Sequence, residues 1–334
     1  MKRVCLWLIC GLLSLGFAAC AEEAGTTTSS NALERLGLGE VHALTFSSDG
    51  QYLAEATDIG VVLRHRQCCL AGLPYHYGFE VLAQGELYAT SVAFSPTGLI
   101  LAAGYDGGSV RLWDLAAGEL LLESSGQSDR VLCVAFSADG TTLASGSGDT
   151  DKDVKLWEVP TGSLKGTLTG GHRTGITSLA FSPDGTVLAS AGWDGRTVLW
   201  DVAEERVRSY LTENGYITLS VSFSPNGKIL ASGSGNGDIM LWDVSTGELV
   251  RTLVGHSSGV RSIAFSPDGL TLASCSSSFV AAEVRLWDLE TGTAARILNT
   301  AVSINCVAFG PEGTTLAAGS DDGSVLVWDI RGLP

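Results

Sequence analysis

Three short apolar runs rich in β-forming residues, separated by two polar turns, fill the stretch Gly171 to Val202, GHRTGITSLAFSPDGTVLASAGWDGRTVLWDV. Ile176–Phe181 predicts a first strand. Ser182-Pro183-Asp184-Gly185 predicts the turn after it, because Pro presets φ for the second turn position and Gly supplies the positive φ of the exit. Val187–Ala191 predicts a second strand, Gly192-Trp193-Asp194-Gly195 a second turn, and Thr197–Asp201 a third strand ending in Trp-Asp. Runs this short, joined by turns this tight, build an antiparallel meander.

The same pattern recurs along the chain. The Phe that closes the first strand is found at Phe46, Phe94, Phe136, Phe181, Phe223, Phe265 and Phe309, at intervals of 48, 42, 45, 42, 42 and 44 residues. The Trp of the third strand is found at Trp113, Trp157, Trp200, Trp242, Trp287 and Trp328. A period of this length, with room for four strands per copy and with Gly-His and Trp-Asp signatures, marks a propeller built from repeats. In these motifs the chain resembles the WD-repeat (WD40) β-propeller family over residues 31–331. The expected fold is therefore all-β, a seven-bladed antiparallel propeller.

The resemblance implies a hydrogen-bonded tetrad in the unit above: His172, Ser190, Asp194 and Trp200. A buried imidazole needs partners on both nitrogens and a buried indole N–H needs an acceptor, which such a set supplies. Ser190 falls in mid-strand and not on a strained elbow, so the set reads as scaffold and not as a catalytic triad. All four residues are legible only in this copy. Gly255-His256 recurs before the sixth copy, but the turn that follows lacks the Asp, and the remaining blades are expected to rest on apolar packing.

A ring has to close. Only five residues follow Trp328-Asp329 once they are counted from Ile330, too few for a fourth strand, and Asn31–Leu36 (NALERL) matches the place of Glu248–Leu253 (ELVRTL). An N-terminal strand is thus expected to complete the last blade. The first copy is degenerate: the common spacing puts His65 in its Trp slot, while a slip of one residue would put Arg64 there. The third and sixth copies carry insertions in the second turn, Asp149 to Asp153 and Ser276 to Ala282.

Charge narrows the partners. The formal net charge is −16, and it becomes −18 when Lys2 and Arg3 leave with residues 1–19. An acidic domain repels phosphate backbones and anionic lipid, which argues against nucleic acid as a partner. Residues 1–19 have the layout of a signal peptide: a cationic start, then an apolar run from Val4 to Phe17 that is too short to span a bilayer. Phe17-Ala18-Ala19-Cys20 resembles a lipoprotein cleavage box, which implies lipidation at Cys20; the alternative is ordinary secretory cleavage after Ala21. Residues 20–30 then read as a polar tether. The expectation is an exported, monomeric propeller in a bacterial cell envelope, touching the membrane only through a lipid anchor.

Candidate chemistry is sparse. Asp149, Asp151 and Asp153 alternate as at the start of a calcium loop, but no Gly follows at the sixth place and Pro160 stands at the twelfth. His65, Cys68, Cys69 and His76 are metal-type ligands at no known zinc spacing, and read as a long loop with a vicinal thiol pair. Cys133, Cys275 and Cys306 read as small buried residues on strands of repeats too far apart to bridge. Nucleotide, hydrolase and metalloprotease motifs are absent from the sequence. No cofactor, metal or catalytic residue is expected. Tyr105, Trp193, Tyr216 and Phe279 map to one face, the face that carries binding residues in the family it resembles, and large aromatics anchor interfaces. The expected function is a non-catalytic scaffold holding a protein or peptide there. Two alternatives are a small-ligand or enzymatic propeller, disfavoured by inner strands of Ser, Ala and Val, and a cation-dependent adhesion or sensor module.

Overall fold

A computed structural model describes residues 34–37, 39–67, 76–82, 88–124, 127–148, 150–211, 215–276 and 282–332. The segments read from sequence as signal peptide and tether, together with Cys20, Cys68, Cys69, Asp149 and Phe279, lie outside the described residues.

Seven four-stranded antiparallel sheets form the blades. Blade 1 holds β2 (Val41–Phe46), β3 (Tyr52–Thr57), β4 (Gly60–Gln67) and β5 (His76–Val81). Blade 2 holds β6 (Ala89–Phe94), β7 (Ile100–Tyr105), β8 (Val110–Asp114) and β9 (Glu119–Ser124). Blade 3 holds β10 (Val131–Phe136), β11 (Thr142–Ser147), β12 (Val154–Glu158) and β13 (Leu164–Leu168). Blade 4 holds β14 (Ile176–Phe181), β15 (Val187–Gly192), β16 (Thr197–Asp201) and β17 (Arg206–Leu211). Blade 5 holds β18 (Thr218–Phe223), β19 (Ile229–Ser234), β20 (Ile239–Asp243) and β21 (Leu249–Leu253). Blade 6 holds β22 (Val260–Phe265), β23 (Thr271–Ser276), β24 (Glu283–Asp288) and β25 (Thr293–Asn299). Blade 7 holds β26 (Ile304–Phe309), β27 (Thr315–Ser320), β28 (Ser324–Asp329) and, as its outer strand, β1 (Glu34–Gly37).

Strand β1 pairs antiparallel with β28, Glu34 opposite Val327 and Gly37 opposite Ser324. The first strand of each blade contacts the first strand of the next, and β26 contacts β2, so the ring is closed. Within each blade the four strands run outward as a, b, c and d. One end of the ring carries the d-to-a loops and b–c turns, and the other the a–b and c–d turns.

Burial explains the composition of each strand. Each b strand is covered on both faces by neighbouring sheets, so Thr142–Ser147 and Val187–Gly192 are buried at every position. The d strands face solvent and alternate, as Arg206–Leu211 does. Each apolar cluster is shared by two blades; one joins Ala144, Val154 and Leu156 to Ile176, Leu188 and Trp200 across blades 3 and 4. The sheets approach so closely that a Cβ on Gly319 would meet Val41 Cγ1 at 2.4 Å, which is why small residues dominate the b strands.

Hydrogen bonds also cross between blades. The hydroxyls of Ser91, Ser178 and Ser262 accept the backbone N–H of Val134, Val221 and Val307 in the following blades, at 3.1, 3.2 and 3.2 Å. Cys133 and Cys306 occupy the equivalent place. Cys133, Cys275 and Cys306 are free and buried. Burial pushes the Cys275 thiol up to about 12, so it is an inert packing residue at neutral pH. Cys275 and Cys306 stand in adjacent blades, which corrects the expectation that their repeats lie apart; they are copies six and seven of the ring.

In blade 1 the Trp slot is filled by Arg64, not His65. Leu53 pairs with Arg64, as Leu188 pairs with Trp200 in blade 4. The b–c turn of blade 1 is reduced to Asp58 and Ile59 between Thr57 and Gly60, one residue less than the common length, and this shifts the register. Glu55 occupies the place of Ser190. Its carboxylate takes Arg64 Nε and, at 3.1 Å, Nη2, and the two side chains are 0% and 3% exposed. Blade 1 thus replaces a neutral hydrogen bond with a buried ion pair. His65 turns outward, edge-on to Tyr52 and 3.6 Å from Glu80.

Candidate functional site

The loop entering blade 4 brings its tetrad together. Trp200 Nε1 donates to Ser190 Oγ at 2.8 Å, and His172 Nε2 lies 2.7 Å from the same oxygen. His172 Nδ1 lies 3.1 Å from Asp194 Oδ1, and Asp194 also accepts the N–H groups of Arg173 and Arg196 at 2.8 and 3.1 Å. Donor arithmetic fixes the protons. Ser190 accepts from the indole and donates to Nε2, so Nδ1 carries the proton and donates to Asp194. Burial raises the Asp194 carboxyl, but the bonds from His172 and the Arg173 N–H outweigh it and hold the group below the usual carboxylate range. Ser190 is 0% exposed, and its oxygen already serves an indole and an imidazole. A Ser–His–carboxylate chain so placed cannot meet a substrate; it ties the d–a loop to the b–c turn.

Blade 6 holds a second complete tetrad that its turn sequence conceals. Trp287 Nε1 donates to Ser274 Oγ at 2.8 Å, His256 Nε2 lies 2.7 Å from that oxygen, and His256 Nδ1 lies 3.0 Å from Glu283 Oε1. Glu283 sits within β24, four residues before Trp287, and the longer Glu side chain covers the distance that Asp194 covers from a turn six residues before Trp200. Burial lowers His256 to about 4, with Arg285 adding to the drop and Glu283 opposing it.

Blade 3 varies the theme. Gln127 stands in the His place and donates through Nε2 to Ser145, which also takes Trp157 Nε1 at 2.7 Å. Asp151 stands in the Asp place and is held by Lys155 Nζ at 2.6 Å. Its carboxylate therefore belongs to blade closure. Among the described residues no three His, Cys, Asp or Glu side chains converge as ligands of one ion. In blade 5 Trp242 keeps the bond to Ser232, at 2.8 Å. Blade 7 has Ala318 at the serine place, and Trp328 Nε1 is buried with no acceptor.

The tetrads hold up the face formed by d–a loops and b–c turns. Trp193 is half-buried there, with its backbone N–H donating to Gly175 O at 3.1 Å and Arg130 Cζ 5.7 Å from its ring. Gly175 is small because a Cβ would lie 3.0 Å from Trp193 Cε3. Tyr216 is 52% exposed, and Ile217 beside it is also exposed. The Tyr216 carbonyl lies over Gly195, where a Cβ would meet it at 2.7 Å, so the blade 5 loop abuts the turn that presents Trp193.

Tyr105 does not join this surface. It is 0% exposed, with its ring 4.6 Å from the Arg111 guanidinium and 6.5 Å from Trp113. Ala89 pairs with Tyr105 as Ile176 pairs with Gly192, so Tyr105 ends a strand and Asp106 holds the place of Trp193. Matching the two aromatics by the Asp that follows misplaces Tyr105 by one residue, which turns the side chain between blades. Arg130 was missed because its role arises from the neighbouring blade. Its one sequence signal is a cation in a d–a loop of an acidic chain.

The fold and its interlocking tetrads define a seven-bladed β-propeller of repeated sheets. The model of the WD domain, G-beta repeat, matches six times, at residues 82–114, 118–158, 162–201, 206–243, 247–288 and 295–329, and the chain belongs to this WD-repeat family. Each match runs from a d strand, or the segment after it, into the a, b and c strands of the next blade. Blade 1, with Arg64 in the Trp slot, lies outside the six. Among curated proteins the chain is 29% identical over 147 residues to guanine nucleotide-binding protein subunit beta-1 of Nicotiana tabacum, covering 41% of this chain and 34% of that one. It is 30% identical over 130 residues to the subunit beta of Oryza sativa subsp. indica, covering 36% and 32%. The similarity thus spans about a third of the length of these relatives.

Proposed function

We propose that the protein is a non-catalytic scaffold that holds a protein partner on its d–a face, above blades 3 to 5. The observation that carries this reading is the continuous surface from Arg130 over Trp193 and Gly195 to Tyr216 and Ile217, mounted on a tetrad that fixes both loops. Aromatics partly buried on a rigid frame anchor interfaces at little entropic cost. The relatives are named as subunits, and membership of an assembly is proposed for this chain by analogy. Export and anchoring through a lipidated Cys20, in a bacterial envelope, rest on the residues of the first segment alone.

The experiment is crosslinking and capture from native membranes, with wild type beside a Trp193→Ala/Tyr216→Ala variant of unchanged melting temperature. A partner captured by wild type and lost in the variant supports the reading. Equal capture by both moves the interface elsewhere. Metabolic labelling with a fatty acid, compared with Cys20→Ala, tests the anchor: label lost in the variant supports lipidation, and no label in either contradicts it.

A further inference from the structure

We infer that the partner segment seated on this surface is an acidic peptide, its apolar side chains on Trp193 and Tyr216 and its carboxylates toward Arg130, Lys152 and Arg173. The inference rests on the scaffold reading above and adds the chemistry of the occupant.

The charge layout of the d–a face carries it. The whole chain has a formal net charge of −16, so a basic partner is the simple expectation. Over blades 3 and 4 burial withdraws two carboxylates and leaves three cations exposed. Asp194 is 5% exposed and held by His172 and two backbone N–H groups. Asp151 is 10% exposed and held by Lys155. Asp129 and Asp153 are partly exposed, and Asp129 is engaged by the Thr150 N–H and hydroxyl, each at 3.0 Å. The cations of the same loops, Arg130, Lys152 and Arg173, point out and are exposed. The guanidinium and ammonium groups are exposed, while Asp194 and Asp151 are withdrawn from solvent.

Two further features favour an acidic segment over a bulk acidic protein. Arg130 lies over the indole of Trp193, which leaves the edge of the guanidinium for a carboxylate and places an apolar surface beside it. Across the ring, over blades 7, 1 and 2, the exposed charges of the same face are acidic: Glu40, Asp106, Asp321 and Asp322. A partner with a broad negative surface would be repelled there, whereas a short segment can lie on the cationic sector alone. The polarity also fixes where the segment lies.

A random peptide library displayed on phage, selected on the immobilised full chain and on Arg130→Glu/Arg173→Glu, tests this directly. The result expected is enrichment of sequences with several Asp or Glu and at least one aromatic residue, lost in the charge-reversed variant and kept in Arg130→Lys/Arg173→Lys. A synthesised winner should lose at least tenfold in affinity when its carboxylates become amides, and should weaken as ionic strength rises from about 0.05 to about 0.5 M. Enrichment of basic or neutral sequences, acidic sequences that bind the reversed variant equally, or no enrichment at all would overturn the inference. Each of these outcomes can coexist with capture of a partner that depends on Trp193 and Tyr216, so failure here is distinguishable from failure of the scaffold reading.

Discussion

The residue at the Ser190 place of each b strand is the smallest unit that decides how a blade is held. Ser190 serves two buried partners, so Ser190→Ala strands both Trp200 Nε1 and His172 Nε2, and a cost of about 2–3 kcal/mol is expected in a denaturant titration. The converse change is available in blade 7. Ala318 pairs with Leu326 as Ser190 pairs with Val198, and Trp328 Nε1 lacks an acceptor. Ala318→Ser should therefore stabilise by about 1 kcal/mol and raise the melting temperature. His256 gives a pH signature. Its folded value of about 4 lies below the ordinary 6.5, so the unfolded chain gains the proton first as pH falls. Stability should drop between about pH 6.5 and 4, by up to about 3 kcal/mol, and His256→Gln should flatten that part of the profile. His172, Ser190, Asp194 and Trp200 were legible because the short Gly-His and Trp-Asp signals were intact. Glu283 and Gln127 were not, since each does the tetrad's work from another position or with another side chain.

At the level of the strand and blade, the turns made most elements readable, and one-residue shifts hid the rest. Ser-Pro-Asp-Gly and Trp-Asp-Gly mark where strands end, but the number of residues in a b–c turn decides which side chain enters the core. The shorter turn of blade 1 is how Arg64 displaced His65; blade 2 keeps the common turn length, and Tyr105 fell between blades because its Asp stands one residue earlier. Blade 1 carries the cost. Burial raises the Glu55 carboxyl despite Arg64 beside it, so above the ordinary carboxylate range its ionised form detracts from stability. Glu55→Ala, which leaves Arg64 buried alone, should cost about 3–5 kcal/mol. The double change Glu55→Ser/Arg64→Trp restores the pair used in blade 4 and should be at least as stable as wild type by thermal melting.

For the whole molecule, closure and the polarity of its ends matter most. Among the described residues, the backbone pairing of β1 with β28 joins the N-terminal strand and the last repeat in one sheet. Removing residues up to Gly37 should lower the melting temperature and expose the β28 edge to self-association, measurable by light scattering. The seven copies could be read from the periodic Phe and Trp residues, and the closing strand from the match of Asn31–Leu36 to Glu248–Leu253. The exposed Arg130, Lys152 and Arg173 above a withdrawn Asp194 could not, because Asp194 is held inward by His172, distant in sequence. The central claim is that the d–a face is the working surface. The most direct measurement places a photo-crosslinking amino acid at Tyr216 or, on the opposite face, at Leu270, which is 66% exposed, in the cells that make the protein. A discrete adduct from position 216 and none from 270 is predicted; adducts from 270 alone, or from neither, would contradict it.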